Sequence, residues 1–243
     1  VKSDGQGRLI LPDGFLERRH ISPDTEYWLD EREGDLILHR RLPDIRKIYI
    51  EPTTACNLQC HTCIRNVWKD PEMNMSMDTF QSLVDSLTGL PDVKRVVFTG
   101  FGEPLTHPHI LEMIRLVREH GVNVTVGSNG LLMDSAVAHE LIELGVDRLV
   151  ISLDGVKPET YAGVRGAVLS KVLRNIRALN ETKKQLGSLT PALGIEFVAL
   201  KNNVAELSDL VGLASRLGAT RVLVSNVLAY TEEMRAEILY GYE

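Results

Sequence analysis

The sequence predicts an α/β fold: a partial (β/α)6 barrel of parallel strands, with a small, mainly β module preceding it. Three observations carry this. From Arg46 onward, short β-branched runs alternate with longer amphipathic segments, the pattern of repeated βα units. Several helical patterns stop at glycine, as helices prefer, at His120-Gly121, Leu144-Gly145 and Leu217-Gly218. Residues 1–41 lack any long helical pattern and read as short strands instead.

Taken in order, residues 1–41 offer RLILP, EYWLDE and DLILHR as strands around a brief helix from Gly14 to Arg19. Leu42 to Ile45, with Pro43, is the linker, and 46–243 form the main domain. Six strands follow, at Lys47–Glu51, Arg95–Thr99, Asn123–Gly127, Arg148–Ser152, Gly194–Ala199 and Arg221–Ser225. Between them lie helical patterns at Met77–Thr88, Pro108–His120, Asp134–Leu144, Ala167–Leu186 and Val204–Leu217. Runs such as VVFTG and LVISLDG are apolar on both faces, as expected when helices cover one side and barrel packing fills the other. An open doubly wound sheet has the same local signature, and periodicity alone does not separate the two. In either architecture chemistry belongs at the C-terminal ends of the strands.

At 243 residues and 44% hydrophobic content the chain can bury a sizeable core. No run of about 18 apolar residues or signal-peptide pattern is visible, so a cytoplasmic protein without membrane contact is expected. The formal charge of -6 argues against broad nucleic-acid binding. A small molecule or a protein partner fits better.

All three cysteines, Cys56, Cys60 and Cys63, fall within eight residues, which excludes a disulfide framework and points to metal or redox chemistry. They sit in TTACNLQCHTC, directly after the first barrel strand, in a CxxxCxxC spacing. Iron-sulfur clusters normally take four cysteines, so three leave one iron open to another ligand. Zinc, with His61 as a fourth ligand, is the competing reading, but His61 adjoins Cys60 whereas zinc ligands are usually spaced by two residues or more.

Three further short motifs follow the next strands in turn: GFGEP (Gly100 to Pro104), SNG (Ser128 to Gly130) and SLDG (Ser152 to Gly155). Four such words in order across residues 46–227 resemble the radical S-adenosylmethionine (radical SAM) superfamily, whose domain is a partial TIM-like barrel. The resemblance implies a [4Fe-4S] cluster on the three cysteines and S-adenosylmethionine on the open iron. One electron, from a ferredoxin- or flavodoxin-type reductant, then yields a radical that takes hydrogen from a substrate. It also implies cofactor contacts. Gly100 and Gly102 would permit close approach, and Glu103 would face the positive end of the cofactor. Ser128 and Asn129 would bond its carboxylate or ribose, and Ser152 and Asp154 the ribose hydroxyls. Arg165, in YAGVRG, would pair with the methionine carboxylate. Ordinary turns at GFGEP and SNG, a helix N-cap at Asp154 and a solvated Arg165 are the plain alternatives. Glu196 is a weaker candidate, since an inward carboxylate is costly unless paired. His107 and His109 read as surface residues at a helix start, and Arg65, Asn66 and Trp68 as candidates for the substrate side.

Two departures from that family pattern stand out. Thr62 occupies a position that is often aromatic and packs near the adenine, and Phe101 replaces a glycine of GGEP. The loop CHTCIRNVWKD and the N-terminal module resemble maturases associated with tungsten oxidoreductases. Related peptide-modifying maturases carry extra cysteines for auxiliary clusters, and none follows Cys63 here.

Residues 1–41 resemble the swapped-hairpin half-barrel of the AbrB and SpoVT family, which implies a homodimer and raises DNA binding. Nine acidic against seven basic residues there weaken the DNA reading. A plain extension covering one barrel end is the simpler alternative. A redox-sensing regulator, with the cluster as switch, is the alternative function; it would need no cofactor motifs.

Overall fold

The computed structural model describes residues 2–6, 8–19, 21, 27–32, 34–40, 45–68 and 71–240. The chain divides into two compact units, Val1–Ile45 and Arg46–Glu243. In the first, β1 (Lys2–Ser3) pairs antiparallel with β2 (Leu9–Ile10), a single turn α1 (Phe15–Arg18) follows, and β3 (Tyr27–Arg32) and β4 (Asp35–Arg40) form an antiparallel hairpin.

The second unit is a six-stranded, curled parallel sheet made of β5 (Lys47–Ile50), β6 (Arg95–Phe98), β7 (Asn123–Ser128), β8 (Arg148–Ser152), β9 (Ala192–Ala199) and β10 (Arg221–Asn226). Its spatial order is the chain order, without the reversal that defines a doubly wound sheet, so the partial-barrel reading holds. The helices between are α2 (Met77–Ser86), α3 (Ile110–Glu119), α4 (Ser135–Glu143), α5 (Pro158–Arg165), α6 (Leu169–Gln185) and α7 (Leu207–Arg216), with α8 (Glu232–Ala236) after the last strand. Side-chain caps from Ser76 and Asp134 start α2 and α4.

The core lies between the outer face of the sheet and the helices. Val96, Phe98, Val124, Val126, Leu149, Ile151, Ile195 and Phe197 point outward and are buried with Phe80, Met113, Ile114, Leu141 and Ile176. The inner face departs from the expected packed barrel. Alternate residues there, including Lys47, Arg95, Thr125, Arg148 and Arg221, line open space. Strand alternation explains how one strand can serve both purposes, because successive side chains face opposite sides. Among the described residues no helix is long and apolar enough to cross a membrane.

Candidate functional site

The three thiols meet at the C-terminal end of the sheet. Cys56, Cys60 and Cys63 are free cysteines and all line one cavity of about 230 Å³. Its walls include Gly100, Gly102, Glu103, Ser128, Asn129, Ser152 and Arg165, so the predicted strand-end residues converge, with the exception of Asp154.

The loop bearing the cysteines is anchored on all sides. His61 N donates to the Val164 carbonyl at the end of α5 (2.8 Å), Asn66 Nδ2 donates to the Cys60 carbonyl (2.8 Å), and Arg65 Nη1 to that of Leu58 (3.2 Å). Arg65 also pairs with Glu72. Arg65 and Asn66 therefore brace the loop and are not among the residues lining the cavity. His61 is exposed and outside the lining, and among the described residues no three His, Cys, Asp or Glu side chains meet closely enough to hold a single metal ion. A zinc centre completed by His61 does not fit this geometry. Three thiolates around one cavity, with no fourth cysteine in the sequence, suit a cubane that keeps one iron for another ligand.

Glu103 is 2% exposed and its carboxylate accepts three hydrogen bonds. Oε2 accepts from Asn129 N (2.7 Å), and Oε1 from Ser128 Oγ (2.8 Å) and Leu105 N (3.1 Å). It ties the GFGEP loop to the SNG loop. Burial pushes its carboxyl above the usual range, against these bonds. Asn129 in turn donates to Asn57 Oδ1 (2.8 Å), with its Nδ2 4.0 Å from Cys56 Sγ, so the third strand end reaches the cluster loop.

Glu51, which sequence reasoning passed over, orders the same turn: its Oε1 accepts from Phe101 N (2.6 Å) and Gly102 N (3.0 Å). A Cβ at Gly102 would run into the backbone of Thr53, which explains that glycine. The close approach at Gly102 is thus to the cysteine-loop backbone, where Glu103 N donates to the Ala55 carbonyl (2.8 Å).

Asp154 lies behind the cavity. It is 0% exposed, accepts from Val198 N through Oδ1 (2.8 Å), and pairs through Oδ2 with Arg165 Nε at 2.7 Å, a close contact whose N–H is not aligned for a hydrogen bond. It does not cap α5, where the N-cap position is Lys157. Arg165 is neither solvated nor isolated: Nη1 lies 3.7 Å from Cys60 Sγ. Burial disfavours its charge, but Asp154 and the Cys60 sulfur more than compensate and hold its pKa above the ordinary value. The Cys60 thiol is pushed up by burial, against the pull of Arg165.

Glu196 faces inward, as its position in the strand suggested, and lines the cavity. Partial burial raises its pKa, opposed by Arg165 and Arg221. His107 corrects the surface reading: it is 3% exposed, with Nε2 3.0 Å from the Met75 carbonyl and Nδ1 accepting from His109 N. Phe101 lines the cavity beside Thr62 and packs edge-on against Trp68, ring centroids 5.2 Å apart.

The Radical SAM superfamily model matches residues 50–197. The tungsten-containing aldehyde ferredoxin oxidoreductase cofactor-modifying protein of Pyrococcus furiosus is 33% identical over 197 residues, 81% of this chain and 55% of that one. The mycofactocin maturase MftC of Mycobacterium ulcerans is 32% identical over 170 residues, 70% of this chain and 44% of that one. Among solved structures, Streptococcus suis SuiB bound to S-adenosylmethionine superposes with a TM-score of 0.67 at 19% identity, over 82% of this chain and 44% of that one. The chain thus spans about half the length of the curated relatives it matches.

Proposed function

Because this chain belongs to the radical SAM superfamily, whose cofactors are a [4Fe-4S] cluster and S-adenosylmethionine, we propose that it is the radical-generating domain of a maturase acting on a small molecule or peptide. The observation that carries this is the convergence of Cys56, Cys60 and Cys63 with the GFGEP, SNG and SLDG strand ends on one cavity. When bound and reduced, the cluster supplies the electron that splits S-adenosylmethionine into methionine and the hydrogen-abstracting 5'-deoxyadenosyl radical.

The residues of the chain bind and orient. Cys56, Cys60 and Cys63 hold the cluster. Arg165, kept charged by Asp154, balances the negative thiolates and offers a planar guanidinium to a carboxylate. Gly100, Gly102, Ser128, Asn129 and Ser152 form the wall against which the cofactor rests, and Glu103 acts by fixing Ser128 and Asn129. Asp154 is a positioning residue for Arg165. The low-potential electron comes from a ferredoxin- or flavodoxin-type donor, and the reaction is cytoplasmic. Similarity to a tungsten-enzyme cofactor-modifying protein supports a cofactor or peptide of a tungsten oxidoreductase as the target. The N-terminal unit, read as AbrB-like, serves dimerisation.

Anaerobic reconstitution tests the reading. Close to one four-iron cluster per chain is expected, and dithionite-reduced protein should convert S-adenosylmethionine to 5'-deoxyadenosine and methionine. Cys60→Ala should abolish both. A protein that takes up zinc with little iron, or a four-iron protein that neither binds S-adenosylmethionine nor forms 5'-deoxyadenosine, overturns it.

A further inference from the structure

The inside of the half-barrel continues below the cofactor cavity. A second chamber of about 180 Å³ shares Thr99, Gly127 and Glu196 with the first, so the two adjoin along the inside of the sheet between the cysteine loop and the N-terminal ends of the strands. Its chemistry is the opposite of a barrel core. Lys47, Arg95, Arg148 and Arg221 each stand at the first position of a strand, β5, β6, β8 and β10, and all four line the chamber. Glu196, at the junction with the upper cavity, is the one carboxylate in that lining. Among the described residues none of the four cations forms an ion pair.

Two buried polar atoms of this chamber's lining residues are unpartnered. Arg95 Nε and Thr125 Oγ1 have no hydrogen-bond partner, although both are shielded. Both lie behind the accessible wall, so the contacts to a bound anion fall to the guanidinium and ammonium ends of the four cations. A concave wall of one sign, set in low-dielectric surroundings, concentrates field and favours a compact anion. Arginine forks match phosphate oxygens bidentately. The cations converge on a chamber of about 180 Å³, room for one or two phosphate groups.

We propose that the base of the half-barrel is a phosphate subsite. It seats the phosphate of a phosphate-bearing small-molecule substrate, whose remaining part reaches along the inside of the sheet toward the cysteine loop. The proposal rests on the reading of the upper cavity as the radical site.

Titration calorimetry of the reconstituted holoprotein with inorganic pyrophosphate tests it without relying on turnover. Saturable binding at one site per chain is expected, weakened about tenfold or more by Arg148→Gln and again by Arg95→Gln, with iron content and the cluster absorption spectrum retained. Arg177→Gln, an exposed cation on α6, should bind pyrophosphate as the unaltered protein does. No pyrophosphate binding, or equal weakening by Arg177→Gln, overturns the subsite. Tighter binding of a hexaglutamate peptide or of a tricarboxylate than of pyrophosphate also overturns it, in favour of an acidic peptide or a carboxylate ligand. Protein that forms 5'-deoxyadenosine yet ignores pyrophosphate refutes the subsite alone. Protein that binds pyrophosphate yet never cleaves S-adenosylmethionine refutes the radical reading alone.

Discussion

Phe101 and Thr62 face the same cavity with their expected characters exchanged: the aromatic ring sits in the GFGEP turn and the small side chain sits before Cys63. An aromatic face lost at one position is thus available from the other, held edge-on by Trp68. Phe101→Ala in reconstituted protein should weaken S-adenosylmethionine binding about 3- to 10-fold, the range of one aromatic contact, without loss of iron. Phe101→Tyr should restore it. Unchanged affinity in the alanine variant removes Phe101 from the cofactor contacts. At the same scale, the pairing of Asp154 with Arg165 relocates a role. Its carboxylate is fully buried behind the cavity, and its removal strands the Arg165 charge beside Cys60.

Among the elements, α5 matters most to the site because it ends on Arg165 and its Val164 carbonyl holds the cysteine loop. Its start is held by Glu206, whose carboxylate accepts from Val156 N (2.7 Å), Lys157 N (3.2 Å) and Thr160 Oγ1 (2.5 Å). Burial raises the Glu206 pKa, but these bonds outweigh it and hold it below the ordinary value of 4.5. A depressed folded-state pKa means stabilisation present above the unfolded value and lost as pH falls through the folded one. Glu206→Ala should therefore cost about 1 to 3 kcal/mol near neutral pH, with a smaller difference in acid. Thermal unfolding between pH 7 and pH 3 measures it, and a pH-independent difference sinks the assignment.

The strands were legible because their apolar, β-branched runs are local, and the cysteine loop because its three thiols are adjacent in sequence. The helix α5 was not singled out, although Pro158 at its start and Gly166 at its left-handed end were available signals. Glu51, Glu206 and buried His107 were beyond sequence reach, since each acts on a partner 32 to 51 residues away. The cationic base was missed for a different reason. Each arginine opens a strand and reads singly as a solvated flank, and only the curling of the sheet brings them together.

For the molecule as a whole, the two units differ in how well each closes its own core. Among the described residues both buried apolar clusters lie in the unit Arg46–Glu243, whereas in Val1–Ile45 no described side chain of β1, β2 or α1 is buried. Leu9, Ile10, Ile37 and Leu38 there are exposed, at 39 to 53%. Two-stranded pairs of this size are marginal alone and need further strands or a helix to cover their apolar faces. On the proposed reading of this unit as a swapped-hairpin half-barrel, a second copy of the same unit would be the cover, since interlocking would double the strands available. The full chain should therefore run as a dimer in sedimentation at micromolar concentration. Protein beginning at Arg46 should sediment as a monomer that still takes up one four-iron cluster, because every cysteine and every residue lining the cavity lies beyond that point. A dimer that survives the deletion assigns the interface to the barrel, and a core that no longer accepts iron makes the N-terminal unit part of its folding rather than of its assembly.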